Sequence, residues 1–162
     1  GYAGQEITYR TMPNYYTNAL RAAQVIVEMW KAVGVNAKLQ VVENFNQMRA
    51  DGQQVGNNSN STRLPDPLGA LWISWGPASW FQKSGAFATT AEFNAAGQAL
   101  EGETDPARRR ALFERMLNAF EDAAPGTVLY QPAEFYAVRS VVRWRPTTFY
   151  FMDLRPDNLG FG

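Results

Sequence analysis

Apolar Ile7 and Tyr9 alternate with polar Thr8 and Arg10, and Ile7-Thr8-Tyr9-Arg10-Thr11-Met12 reads as a short strand close to the start of the chain. The period then lengthens. Leu20, Ala23, Val27 and Trp30 recur at helical spacing, with a second apolar row at Ala22, Ile26, Met29 and Val33, so a helix is predicted from a cap at Thr17 or Asn18 to about Val33. Two apolar rows make a wide arc, and the helix is expected to be mostly buried. Gly34 is placed to end it. Val35, Ala37, Leu39 and Val41 alternate with Asn36, Lys38 and Gln40 as a second strand, giving a strand, helix, strand opening. Asn44 followed by Gln47 resembles a capping box for a short helix through Phe45 and Met48 that stops near Gly52.

Residues 53–67 are polar and rich in turn formers, and read either as a solvated loop or as a strand end followed by a ligand loop. Residues 68–87 carry Trp72, Trp75, Trp80 and Phe81, with Gly76-Pro77 interrupting any helix there. Core packing accounts for most of these rings, and one or two remain available to a pocket. Thr89 with Glu92 suggests a cap for a helix of roughly 90–100. Asp105-Pro106 predicts a second long helix, with Phe113, Met116, Leu117, Phe120 and Ala124 as its apolar stripe. Its other face holds Arg108, Arg109, Arg110 and Arg115, diluted by Glu114, Glu121 and Asp122, and reads as solvated. Residues 127–130 and 136–142 alternate like strands; the tail from Trp144 has no period.

Composition narrows the chemistry more than it identifies it. With 162 residues, 46% of them hydrophobic, the chain is long enough for one ordinary domain with its own core. Fifteen basic and fifteen acidic side chains cancel, so no electrostatic footprint of a nucleic-acid or anionic-membrane binder is present. There is no histidine and no cysteine. Histidine-based triads, thiol nucleophiles, and His- or Cys-ligated metal sites are thereby excluded within this chain. Cysteine-free composition fits an oxidising compartment and the cytosol alike. No stretch approaches the ~20 apolar residues of a membrane span, and the first residues have neither the basic region nor the apolar run of a signal peptide.

The order of these elements resembles the C-terminal lobe of family 5 extracellular solute-binding proteins, the peptide-, dipeptide- and nickel-type receptors of ABC importers. The likeness is carried by residues 19–43, with MWKAVGVNAKLQVVE at 29–43, by LPDP at 64–67 and by TDPARRRALFERMLNAFEDAAPGTVLYQP at 104–132, with VRSVVRWRP and DLRPDN toward the end. The resemblance implies an α/β fold, a single lobe of the type II periplasmic-binding-protein architecture with a mixed sheet flanked by helices. Residues 1–146 would form the ligand-binding lobe, and residues 147–162 a tail returning toward an N-terminal lobe absent from this chain. The abrupt start then implies a piece of a longer receptor.

By the same resemblance the protein is not an enzyme and needs no cofactor or metal. It would close on a small-molecule or peptide ligand in the periplasm, or outside the cell on a membrane tether, and deliver it to an ABC transporter permease, without nucleic acid or direct membrane insertion. Family members build the cleft face of this lobe from positions that correspond here to Asn14, Tyr15, Tyr16, Thr17, Asn44 and the run from Asn57 to Arg63, in which Asn57, Asn60, Ser61 and Arg63 are the leading candidates, with Trp72 and Trp75 as secondary pocket candidates. All but Arg63 are neutral polar or aromatic groups suited to hydrogen-bonding a ligand's amides. Where oligopeptide-binding members place an acidic residue for the α-ammonium, this chain has Arg63. An arginine there would hold a carboxylate or phosphate instead, or else point to solvent or pair with Asp66. A sensor domain of a cytosolic transcriptional regulator would use the same lobe. A carboxylate-dependent hydrolase is a third reading, but the acids sit at helix starts and on the long helix, where capping and solubility explain them.

Overall fold

The computed structural model describes residues 2–49, 55–87, 89–147 and 151–162. It is a mixed α/β structure of helices and small sheets that divides into two compact units, residues 1–59 and 60–162.

The first unit is a βαβ arrangement extended by one short strand. Strand β1 (Ile7–Thr11) pairs in parallel with β2 (Ala37–Val41) on one side and with β3 (Val55–Gly56) on the other, giving the order β2-β1-β3. Helix α1 (Ala19–Ala32) crosses between β1 and β2. Tyr9, Ala23, Val27 and Ala37 form the buried core, and the Trp30 ring meets Tyr9 edge-on at 5.9 Å. The end of α1 is set locally. Gly34 takes φ of 86°, its N–H donates to the Lys31 carbonyl, and the Val35 N–H donates to that of Trp30, a Schellman closure that favours glycine at the left-handed position. Helix α1 is less buried than its two apolar rows predict. Ala19, Ala23 and Val27 face the sheet, whereas Val25, Met29 and Val33 are exposed, because a three-stranded sheet covers only one stripe of a helix laid across it. The expected cap is also absent: Asn18 occupies the N-cap in a left-handed conformation without a side-chain bond to the helix. The short helix α2 (Phe45–Met48) is capped as expected, Asn44 accepting from the Gln47 N–H while the Gln47 side chain accepts from the Glu43 N–H. Its expected end near Gly52 lies outside the described residues.

The second unit is helical with a small hairpin. Short helices α3 (Trp72–Trp75) and α4 (Trp80–Lys83) precede the pair α5 (Ala91–Gly102) and α6 (Pro106–Ala123). Trp72, Phe93, Ala96, Leu100, Met116 and Ala119 make its core. Thr90, not Thr89, caps α5 by accepting from the Phe93 N–H. Asp105 caps α6, and Pro106 takes its first position, where a missing N–H costs nothing. One arginine of the α6 face is not solvated. Arg109 is largely buried and donates to the Leu100 and Glu103 carbonyls and, at 2.5 Å, to Asp66. Asp66 in turn caps the 3₁₀ turn Pro67–Gly69, so the LPDP stretch is a clamp between that turn and the α5–α6 connection.

The two strands expected after α6 do not form as drawn. Residues 127–130 have no regular structure, and of 136–142 only Val142 enters a strand, β4 (Val142–Trp144), antiparallel to β5 (Leu159–Phe161). Val128 and Phe135 are 87% and 92% exposed. Alternation states which face of a strand is apolar but supplies no neighbouring strand to pair with, and among the described residues β4 and β5 pair only with each other. In the tail, Arg155 hydrogen-bonds the Asp153 carboxylate and holds its pKa down to about 2.

Candidate functional site

Because β1, β2 and β3 are parallel, their carboxyl ends open on one edge of the first unit, and the residues that follow each strand gather there. Residues 12–18 follow β1, residues 42–44 follow β2 and residues 57–59 follow β3. The segment after β1 runs between two left-handed asparagines, Asn14 at φ 59° and Asn18 at φ 64°. Between them Tyr15 and Tyr16 are clipped to the end of β3 by side chains. The Tyr15 hydroxyl donates to Asn58 Oδ1 at 2.8 Å and accepts from the Ser59 N–H at 3.1 Å. Asn57 Nδ2 donates to the Tyr16 hydroxyl and to the Ala19 carbonyl, both at 2.9 Å. The Tyr15 ring also packs edge-on against Phe45 of α2, at 5.0 Å.

Two polar atoms beneath this segment have no hydrogen-bond partner among the described residues: Thr11 Oγ1 and Asn57 Oδ1. Thr11 is 0% and Asn57 4% exposed, so water does not compensate them from the surface. The orientation of the Asn57 amide is fixed by chemistry: a backbone carbonyl can only accept, so the nitrogen must face Ala19 and the oxygen must face away. Tyr9 pairs with Val55 and Arg10 with Gly56, the last pair of this ladder, and Thr11 and Asn57 are the residues that follow on each side. Neighbouring strands lie about 4.8 Å apart. Burying such a group unpaired costs about 1–3 kcal/mol, a cost the fold carries at the end of its sheet where ligands of open α/β folds bind.

The groups that hydrogen-bond Asn57, the Tyr16 hydroxyl and the Ala19 carbonyl, are uncharged. Tyr9 lies two residues before Thr11 on the same strand face; burial, reinforced by Tyr16, pushes its phenol up to about 12. Since its ordinary value is about 10, the raised pKa leaves stability intact below pH 10 and removes it progressively as pH rises through 12. Two units correspond to about 3 kcal/mol. Urea unfolding between pH 9 and 12 is therefore expected to show a loss in the wild type that is largely missing in Tyr9→Phe, and equal losses would mean that this phenol does not govern the alkaline limb.

Of the sequence candidates, Tyr15, Tyr16 and Asn57 come together here. Asn44 lies at the same end of the sheet, with its side-chain oxygen spent on capping α2, and Asn14 and Thr17 belong to the segment after β1. The remaining candidates belong to the second unit. Asn60 donates to the Ala70 carbonyl and accepts from Ser74 and from the Ser61 N–H, so it organises its own loop. Arg63 is exposed, and its guanidinium has no partner among the described residues, Asp66 being engaged by Arg109. Trp72 is a core residue whose indole N–H donates to Glu101, and Trp75 packs against Phe81 and Phe87 at 4.6 and 4.7 Å. Sequence reasoning missed Thr11 and Phe45, while Asn58 and Ser59 fell within the expected run from Asn57 to Arg63. Thr11 had a readable signal: the parity of β1 puts it on the same inward face as Tyr9, where an apolar residue is the ordinary choice.

No group of three acidic side chains placed to hold a metal occurs among the described residues, and none of their helices is long and apolar enough to cross a membrane. Searches against protein-family models and against curated proteins return no match, so the reading of function rests on the residues and geometry above.

Proposed function

We propose that this chain is the ligand-binding lobe of an extracellular or periplasmic solute-binding protein, of the type II architecture, that captures a small peptide-like or anionic organic solute for an ABC transporter. The observation that carries the reading is the uncharged cluster at the carboxyl ends of the parallel strands, with Thr11 Oγ1 and Asn57 Oδ1 buried there without partners. Reversible capture needs such groups: hydrogen bonds to neutral partners give selectivity without the large desolvation cost of a buried charge. Closure against a second lobe would complete the enclosure and couple occupancy to the permease.

The test is titration of the isotope-labelled chain with trialanine and, separately, with citrate, followed by amide chemical shifts. A single lobe lacks half of its walls, so millimolar affinity is expected, a range in which shift mapping works. Saturable shifts centred on residues 11–18, 42–45 and 57–59 are expected for at least one probe. Absence of saturable shifts with both would sink the reading.

A further inference from the structure

The two unpartnered atoms specify more than a place; they specify the chemistry of what binds. We propose that Thr11 Oγ1 and Asn57 Oδ1 form a subsite for an uncharged carboxamide, reached when the segment of residues 14–18 lifts from the strand ends. This rests on the solute-binding reading and adds the ligand group to it. Asn57 Oδ1 is an amide oxygen and only accepts, and the bond from Nδ2 to the Ala19 carbonyl keeps the amide in this orientation when the Tyr16 hydroxyl leaves. The ligand must therefore bring a donor. The Thr11 hydroxyl both donates and accepts, and can turn its hydrogen toward a ligand oxygen. A carboxamide offers an N–H donor and a carbonyl acceptor side by side, the complement of this pair. A carboxylate would set its charge against the Asn57 oxygen, and an ammonium would be buried against Thr11 and Asn57, neither of which carries a charge to balance it.

The roof is built to move. Residues 14–18 are bounded by left-handed asparagines at both ends, and Tyr15 and Tyr16 are tied to the end of β3 by hydrogen bonds of their side-chain hydroxyls. Each can be exchanged for a bond to water or ligand as the segment lifts, while β1 and α1 keep their own backbone ladders.

The deciding variant is Thr11→Val, which keeps the shape and removes the hydroxyl. Removing a buried hydroxyl without a partner is expected to leave the urea midpoint unchanged or raised, while trialanine binding weakens at least tenfold. Thr11→Ser, which restores the hydroxyl, is expected to recover most of the affinity despite its smaller side chain. Acetyl-alanine methylamide, neutral at both ends, is expected to shift the same amides as trialanine, which places recognition in the amide and not in a terminus. If the wild type binds neither of these probes nor citrate, the solute-binding reading falls and this subsite with it; if it binds citrate alone, the lobe binds solutes but the carboxamide subsite is wrong. If it binds trialanine and Thr11→Val binds it equally well, the lobe still binds solutes but the subsite is wrong. A loss of binding in Thr11→Ser as large as in Thr11→Val would also overturn it, by assigning the threonine a packing role only.

Discussion

Replacing Trp72 by alanine is expected to remove about 3–5 kcal/mol of stability, the usual cost of deleting a large aromatic ring from a core. The ring is 8% exposed and lies among Phe93, Ala96, Leu100 and Met116, with Leu68, Leu71 and Trp75 packed around them. Its indole N–H donates to Glu101 at 2.5 Å, so the substitution also frees a carboxylate at the edge of α5. The effect separates two roles for this residue. A ring lining an open pocket would cost under about 1 kcal/mol on truncation, because water already reaches it. Urea unfolding followed by far-ultraviolet dichroism, which does not depend on the fluorophore being removed, measures the difference. Trp72→Phe should lose less, since it keeps part of the packed surface and forgoes only the indole.

The second large effect comes from the opposite change at the same contact. A Cβ on Gly97 would lie 2.1 and 2.2 Å from Cζ3 and Cε3 of Trp72, and one on Gly76 would meet Cδ2 of the same ring at 2.8 Å. The indole is therefore wedged between two glycines, neither of which is needed for a left-handed backbone. A methyl group at Gly97 cannot be absorbed by a shift of a few tenths of an ångström. Gly97→Ala is expected to lose about 3 kcal/mol, the upper end for overpacking, even though alanine gains up to about 1 kcal/mol in helix propensity over glycine. If the two residues are coupled as the geometry states, Gly97→Ala combined with Trp72→Phe will be more stable than the sum of the single losses allows, because the smaller ring leaves room for the methyl group. Strict additivity in that double-mutant cycle, or a stabilised Gly97→Ala, would refute the wedge.

Much of the helical structure was legible residue by residue. Asp105-Pro106 announced the start of α6, Gly34 the end of α1, and Asn44 with Gln47 the turn of α2, because caps depend on groups within one turn of each other. The failures fall where a distant partner decides. The strand patterns of 127–130 and 136–141 found no ladder to join, and the outer row of α1 found no second layer to cover it. The cap of α5 slipped by one residue, from Thr89 to Thr90, because either threonine satisfies the same local rule and packing chooses between them. The candidate site was half legible. Tyr15, Tyr16 and Asn57 stood out as polar and aromatic groups after predicted strands, but Thr11 looked like one more residue of a strand until its lack of a partner was visible.

By itself the sequence determined the local geometry of this protein and the chemistry open to it: helices begun by Asp105 and Asn44, a βαβ opening closed by Gly34, and a chain without histidine or cysteine that must work through neutral polar groups, carboxylates, lysine and arginine. Only the tertiary structure decided how the interchangeable residues were spent. It sent Trp72 to the core and Tyr15 to the strand ends, joined Asp66 to Arg109 across 43 residues of chain, and left Thr11 and Asn57 buried without partners. The physical reason is range: caps and periodicity are settled by neighbours a few residues away, whereas burial, ion pairing and the satisfaction of a buried polar atom depend on which distant segments fold against it.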